Sequence, residues 1–232
     1  MLDASIADRA FSLARFGDAG LAACNPLFAF QLMNNFTLCH GAIQSGVSGP
    51  NSAFFSRGGG TVTALAEAHW QIASGQSSRA LGGGADSALH PVTWFQLLGA
   101  DRTMSPGEGA GLLALSARSA GALAVLERVQ LHSPGEVCWG GDELLMDVAR
   151  NIAVTEPVVL AVTDQALRRR LERLSPSGVF DACAMLGDAL AAAPALAWCA
   201  ALDLVVAGAA RAHVISAGID GAIGHVTLGR PA

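Results

Sequence analysis

Apolar residues fall into two kinds of run along this chain. Longer mixed runs, about ten residues or more, read as helices; short apolar runs bounded by Gly, Pro, Ser or Asp read as strands. The first kind covers residues 3–16, 26–43, 61–74, 142–152, 165–174 and 188–207, with a short helix near 91–98. The second covers 51–56, 79–81, 111–116, 123–131, 158–162, 212–216 and 222–228. Punctuation supports these limits. Gly17 and Gly20 are expected to end the first helix, Pro26 occupies a tolerated first-turn position, Gly75 closes 61–74, and Asp164 is placed to cap 165–174. The strands 111–116 and 123–131 are expected to lie side by side, joined by the turn 117–122. Strands alternating with helices make the chain an α/β protein. No linker-like composition divides it, so residues 1–232 are expected to form a single domain.

Composition narrows the function. The chain has 232 residues, of which 52% are hydrophobic and 14% charged, enough for one large core. A net charge of −5 gives no electrostatic case for nucleic acid or an anionic membrane. The basic run Arg168-Arg169-Arg170 reads as a solvated helix face. No apolar stretch reaches the ~20 residues that span a bilayer, and the beginning of the chain lacks a signal-peptide pattern, so a cytoplasmic location is expected. Five cysteines without Cys-x-x-Cys read as reduced core residues, and six scattered histidines offer no metal-ligand spacing. No metal or cofactor is expected. The chain has neither lysine nor tyrosine, which excludes Schiff-base chemistry, a phosphate-binding P-loop lysine and a tyrosine acid.

Four blocks, in order, resemble the ketosynthases of the thiolase superfamily. Gly49-Pro50, the strand Asn51-Ser52-Ala53-Phe54-Phe55-Ser56, the glycines after Arg57 and the helix Ala64 to Gly75 are similar to that family's nucleophile region. Gly107-Glu108-Gly109-Ala110-Gly111 resembles its Gly-Glu-Gly-Ala-Gly block. Gly187-Asp188-Ala189-Leu190-Ala191-Ala192-Ala193 resembles its Gly-His-x-x-Gly-Ala-Ala block, and Ser216 to Gly221 its terminal loop. The resemblance implies a layered α/β/α/β/α thiolase-type fold, trimmed at its N-terminus.

It also implies that the family's chemistry is missing. Its cysteine nucleophile sits at a helix N-terminus, supported by two histidines and a lysine. In this chain the cysteine position falls on Gly58, the first histidine on Val162, the lysine on or near Cys183 and the second histidine on Asp188. The gating phenylalanine position falls on Ile219. No catalytic residue is therefore expected. The resemblance implies a chain-length-factor-like subunit that forms a heterodimer with an active ketosynthase and meets an acyl carrier protein through that complex. The system implied is bacterial, of type II, making polyketides of the polyene class. Asn51 to Ser56 would form the interface, and Phe28, Phe30, Leu32 and Ile219 would line the partner's acyl tunnel.

Other readings rest on single features. Asp188 or the neighbours Cys39 and His40 could serve a stand-alone hydrolase on a remodelled thiolase fold, although adjacent helical side chains point about 100° apart. Arg57-Gly58-Gly59-Gly60 before a helix could be a nucleotide loop, but the last glycine of Gly-x-Gly-x-x-Gly is lacking. Asp188 reads equally as a helix cap. Glu108 is expected to bond backbone in a turn, and His213 and His225 to lie at the surface or an interface.

Overall fold

The computed structural model describes residues 2–27, 33–56, 58–90, 93, 104–133, 146, 148, 150, 152–174 and 178–231. The chain forms two compact units, Met1–Ala53 and Phe54–Ala232.

The first unit departs from the expected helix over 3–16. It holds α1 (Leu2–Ser5), a hairpin of β1 (Ile6–Ala7) and β2 (Ala10–Phe11), α2 (Leu13–Arg15) and a π-helical turn over Phe16–Gly20. Asp8 and Arg9 have φ of 52° and 62°, the two left-handed residues of a tight hairpin loop, and a right-handed helix cannot continue through them. Gly17 lies inside the π-helical turn and Gly20 is its last residue, so neither ends a helix running from residue 3. Helix α3 (Asn34–Ser45) stops at Gly46, whose φ of 64° is left-handed. The earlier part of the expected 26–43 helix, residues 28–32, lies outside the described residues.

The second unit stacks two sheets around a layer of helices. Helix α4 (Gly59–Ala73) is followed by the antiparallel pair β3 (Arg79–Ser87) and β4 (Glu108–Ser116). Then come β5 (Val125–His132), β6 (Val158–Val162), α5 (Gln165–Leu174), β7 (Val179–Asp181) and α6 (Ala182–Leu186). A 3-10 turn (Leu190–Ala192) leads into α7 (Ala193–Val206), and β8 (Arg211–Ala217) and β9 (Ile223–Gly229) close the chain. The larger sheet has order β5-β9-β8-β6-β7, with β6 parallel to β7 and β8, and β9 antiparallel to β5 and β8.

Helices α4 and α7 pack against both sheets. One core joins Val62 and Leu65 of α4, Ala195, Trp198 and Ala201 of α7, Leu113 of β4, and Val159, Val214 and Val226 of the larger sheet. On that sheet's other face, Val158, Leu160, Val162 and Ile215 pack with Leu171 of α5 and with Val148. All five residues of β6 are buried, as an interior parallel strand requires. Small residues permit the layers to approach. A side chain on Gly111 would come 2.9 Å from the Ala195 backbone of α7, and one on Gly84 would come 2.7 Å from Thr61 Oγ1 of α4.

Three strand expectations are corrected. The strand expected over 79–81 is longer: β3 runs on through the triple glycine 82–84 to Ser87, because absent side chains admit α4 and the β4 backbone. Strands β4 and β5 are not neighbours; β4 pairs with β3, and β5 joins β9 in the other sheet. Residues 51–56 form no strand ladder among the described residues. Most of the helices expected at 91–98 and 142–152 lies outside the described residues. No helix among the described residues is long and apolar enough to cross a membrane.

Candidate functional site

Five elements of the second unit converge on one cavity of about 20 Å³, room for about one water. Its lining includes Gly58 before α4, Thr163 after β6, Cys183 of α6, Asp188 before the 3-10 turn, and Gly218 and Ile219 of the β8–β9 loop. The sequence-expected positions Gly58, Cys183, Asp188 and Ile219 are thus brought together. Val162 does not line the cavity. It is fully buried and faces the second core, while Ala161 and Thr163 on either side of it do line the space. Side chains alternate along a strand, which is why a one-residue offset turns Val162 away.

Gly58 is closed to any side chain. A Cβ there would lie within the van der Waals envelope of Gly218 Cα, 2.7 Å from Asp220 Oδ1 and 2.9 Å from Gly218 N. The N-terminus of α4 behind it is already filled. Helix N-termini leave N–H groups without intrahelical partners and carry partial positive charge. Here the Gly59 N–H donates to Asp220 Oδ2 at 3.0 Å, and the Gly60 N–H donates to Ser56 Oγ at 2.6 Å. The Ala222 N–H donates to Asp220 Oδ1 at 3.1 Å, and the Ser56 hydroxyl also bonds this carboxylate. Burial raises the Asp220 pKa, but these donors outweigh it and hold the carboxyl below its ordinary value. An internal anion therefore occupies the place where a nucleotide phosphate would need to bind, which disfavours the nucleotide-loop reading.

Asp188 is 3% exposed and structural in its visible contacts. Its Oδ1 accepts from the Leu190 N–H at 2.9 Å, and its backbone exchanges bonds with Ser105 and Gly107. It thereby braces the chain just before the 3-10 turn but is not the expected helix cap: α7 starts at Ala193, and its N-cap residue, Ala192, makes no side-chain capping bond. Among the described residues the cavity lining contains no histidine, and the chain has no lysine at all. Among the described residues, nothing lining it combines a nucleophile with an imidazole base.

The remaining candidates separate. Phe28, Phe30 and Leu32 lie outside the described residues. Phe54 and Phe55 are exposed, as are residues 51–53. Cys39 is exposed, and its neighbour His40 bonds Gln44 at 3.1 Å and stacks on Phe36. Glu108 bonds a side chain across the β3–β4 ladder rather than backbone in a turn, accepting from Ser87 Oγ at 2.8 Å. No group of acidic, histidine and cysteine side chains among the described residues clusters as a metal site.

His213 and His225 are not at the surface. They are 1% and 0% exposed, because β8 and β9 lie inside the sheet rather than at its edge. His213 Nε2 pairs with Glu156 Oε2 at 2.9 Å, and its Nδ1 lies 3.2 Å from His225 Nε2 and 3.1 Å from Thr227 Oγ1. The sequence held a signal for this cluster: His213, His225 and Thr227 occupy the positions of buried strand residues.

No protein-family model and no curated protein matches the chain. Solved structures do. One is AntDE:AntF, a type II polyketide synthase acyl-carrier protein in complex with its ketosynthase bound to the hexaketide. It shares 14% identity at a TM-score of 0.79, over 93% of this chain and 70% of that one. The ishigamide ketosynthase/chain length factor shares 22% at 0.61, over 85% of this chain and 62% of that one. The 3-oxoacyl-(acyl carrier protein) synthase III of Pseudomonas aeruginosa PAO1 shares 21% at 0.61, over 84% and 71%. The chain has the thiolase-like ketosynthase fold.

Proposed function

We propose that the chain is a non-catalytic, chain-length-factor-like subunit. It pairs with an active β-ketoacyl synthase in the cytoplasm and shapes that partner's acyl tunnel in type II polyketide biosynthesis of the polyene class. The observation that carries this reading is the closure of Gly58: the position equivalent to the ketosynthase nucleophile has no side chain and no room for one. The partner would supply the cysteine, both histidines and the lysine, and would receive acyl groups from an acyl carrier protein. Residues 51–56, which join no strand ladder among the described residues and are exposed through Phe54 and Phe55, would meet the partner. The test is intact mass spectrometry of the purified chain after incubation with an acyl carrier protein charged with a β-ketoacyl precursor. The chain is expected to keep its unmodified mass; a stoichiometric acyl adduct would overturn the reading.

A further inference from the structure

We infer that Asp220 is a positioning residue, a carboxylate latch that pins the β8–β9 loop over the N-terminus of α4 and holds the cavity beneath it shut. This deepens the proposed function and rests on its reading of the cavity as the former catalytic centre.

Both carboxylate oxygens of Asp220 are engaged, and by different parts of the fold. Oδ2 takes the Gly59 N–H at 3.0 Å, reaching across 161 residues of sequence, while Oδ1 takes the Ala222 N–H at 3.1 Å within the loop itself. Ser56 adds its hydroxyl to Asp220 and receives the Gly60 N–H. One carboxylate thus ties the loop to the first turn of a 15-residue helix. Charge-assisted bonds of this kind are stronger than neutral ones, and the helix N-terminus favours an anion. The latch and Gly58 depend on each other. The loop can sit this low only because residue 58 has no Cβ, since Gly218 occupies that space. Held so, Gly218 and Ile219 complete the cavity wall, with Cys183 on its lining at 2% exposure.

The consequence is a measurable change in the accessibility of Cys183. The experiment is alkylation of the full chain, with the rate at each cysteine read by peptide mass mapping so that exposed Cys39 is an internal control. Cys183 is expected to label slowly in the wild type. In Asp220→Ala it should label at least about tenfold faster, the factor that corresponds to the loss of about 1.4 kcal/mol of closure. Acetate, a free carboxylate able to refill the N-terminus of α4, should slow Cys183 labelling in Asp220→Ala, relative to chloride at the same ionic strength. It should leave the wild type unchanged. General destabilisation would give faster labelling without this acetate dependence. Should Asp220→Ala fail to fold, the isosteric Asp220→Asn carries the test: its amide cannot accept at both positions, so Cys183 should again label faster. Wild-type labelling rates in a folded variant, or no acetate effect in Asp220→Ala, would overturn the latch. An acyl adduct on the chain would instead overturn the proposed function and leave the latch standing, so the two failures are distinguishable.

Discussion

At the scale of single residues, two side chains and one missing side chain carry the account. Gly58 leaves space that Gly218 takes, and Asp220 supplies the charge that the first turn of α4 lacks. Placing a cysteine at Gly58, the position proposed to match the ketosynthase nucleophile, should therefore create no chemistry. Gly58→Cys is expected to destabilise the chain by about 1–3 kcal/mol through overpacking against backbone, and still to form no acyl adduct. Urea unfolding and intact mass spectrometry check the two halves. His225 makes a second prediction. Burial first, then the charges of His213, Arg128 and His132, lower its pKa from 6.5 to about 3. As pH falls from 6.5 toward 3, the unfolded chain takes up a proton that the folded chain refuses, so stability is lost across that window. Glu156 adds in the same direction. Burial raises its pKa, but its bond to His213, the Ala153 amide and the charges of His213 and Arg211 hold it below its ordinary value. Its contribution, too, is lost on acidification. Thermal midpoints measured from pH 7 to pH 4 should fall in the wild type and fall less in His225→Gln.

Local pattern made several of these residues legible and concealed others. Gly58, Cys183, Asp188 and Ile219 could be placed by counting from motif blocks, and one cavity holds them all. Thr163 was missed by one position because no motif marks the end of β6. The role of Asp220 was invisible because its partner lies 161 residues away. The histidine pair was misassigned because polarity was read without the strand order that puts β9 and β8 inside the sheet.

Among elements, the clearest in the sequence were those whose limits are set by their own residues. Helix α4 ends near Gly75, β6 is a continuous apolar run, and α5 begins just after Asp164, whose Oδ1 accepts from the Leu167 N–H at 2.6 Å. The errors came where a neighbour decides the outcome. The strand expected over 79–81 extends through glycines 82–84 because α4 and β4 close on them. The pairing of β4 with β3, rather than with β5, is a property of layers and not of local pattern. The middle layer should be correspondingly intolerant of loss. Trp198 of α7 is fully buried in the core that joins both sheets. Trp198→Ala is expected to cost about 3–5 kcal/mol, near the upper range for core truncations, measurable as a lower denaturant midpoint with the slope unchanged.

For the whole molecule, the proposal makes assembly part of function. If residues 51–56 meet the partner, Ala53→Asp should abolish co-purification with the ketosynthase by burying an unpaired carboxylate. Phe28→Ala should leave the complex intact and lengthen or broaden its products. Retained assembly of the first variant would remove the interface assignment, and unchanged products from the second would remove the tunnel assignment. The central claim, that this subunit is required but does no chemistry, is tested most directly by reconstitution. Condensation of malonyl and acyl groups on carrier protein would be followed for the chain alone, for the chain with a candidate type II ketosynthase partner, and for the chain with that ketosynthase carrying a cysteine-to-alanine change. Turnover is predicted in the second mixture only, with every acyl adduct on the partner. Turnover in the first or third, or an acyl mass on this chain, would contradict the account.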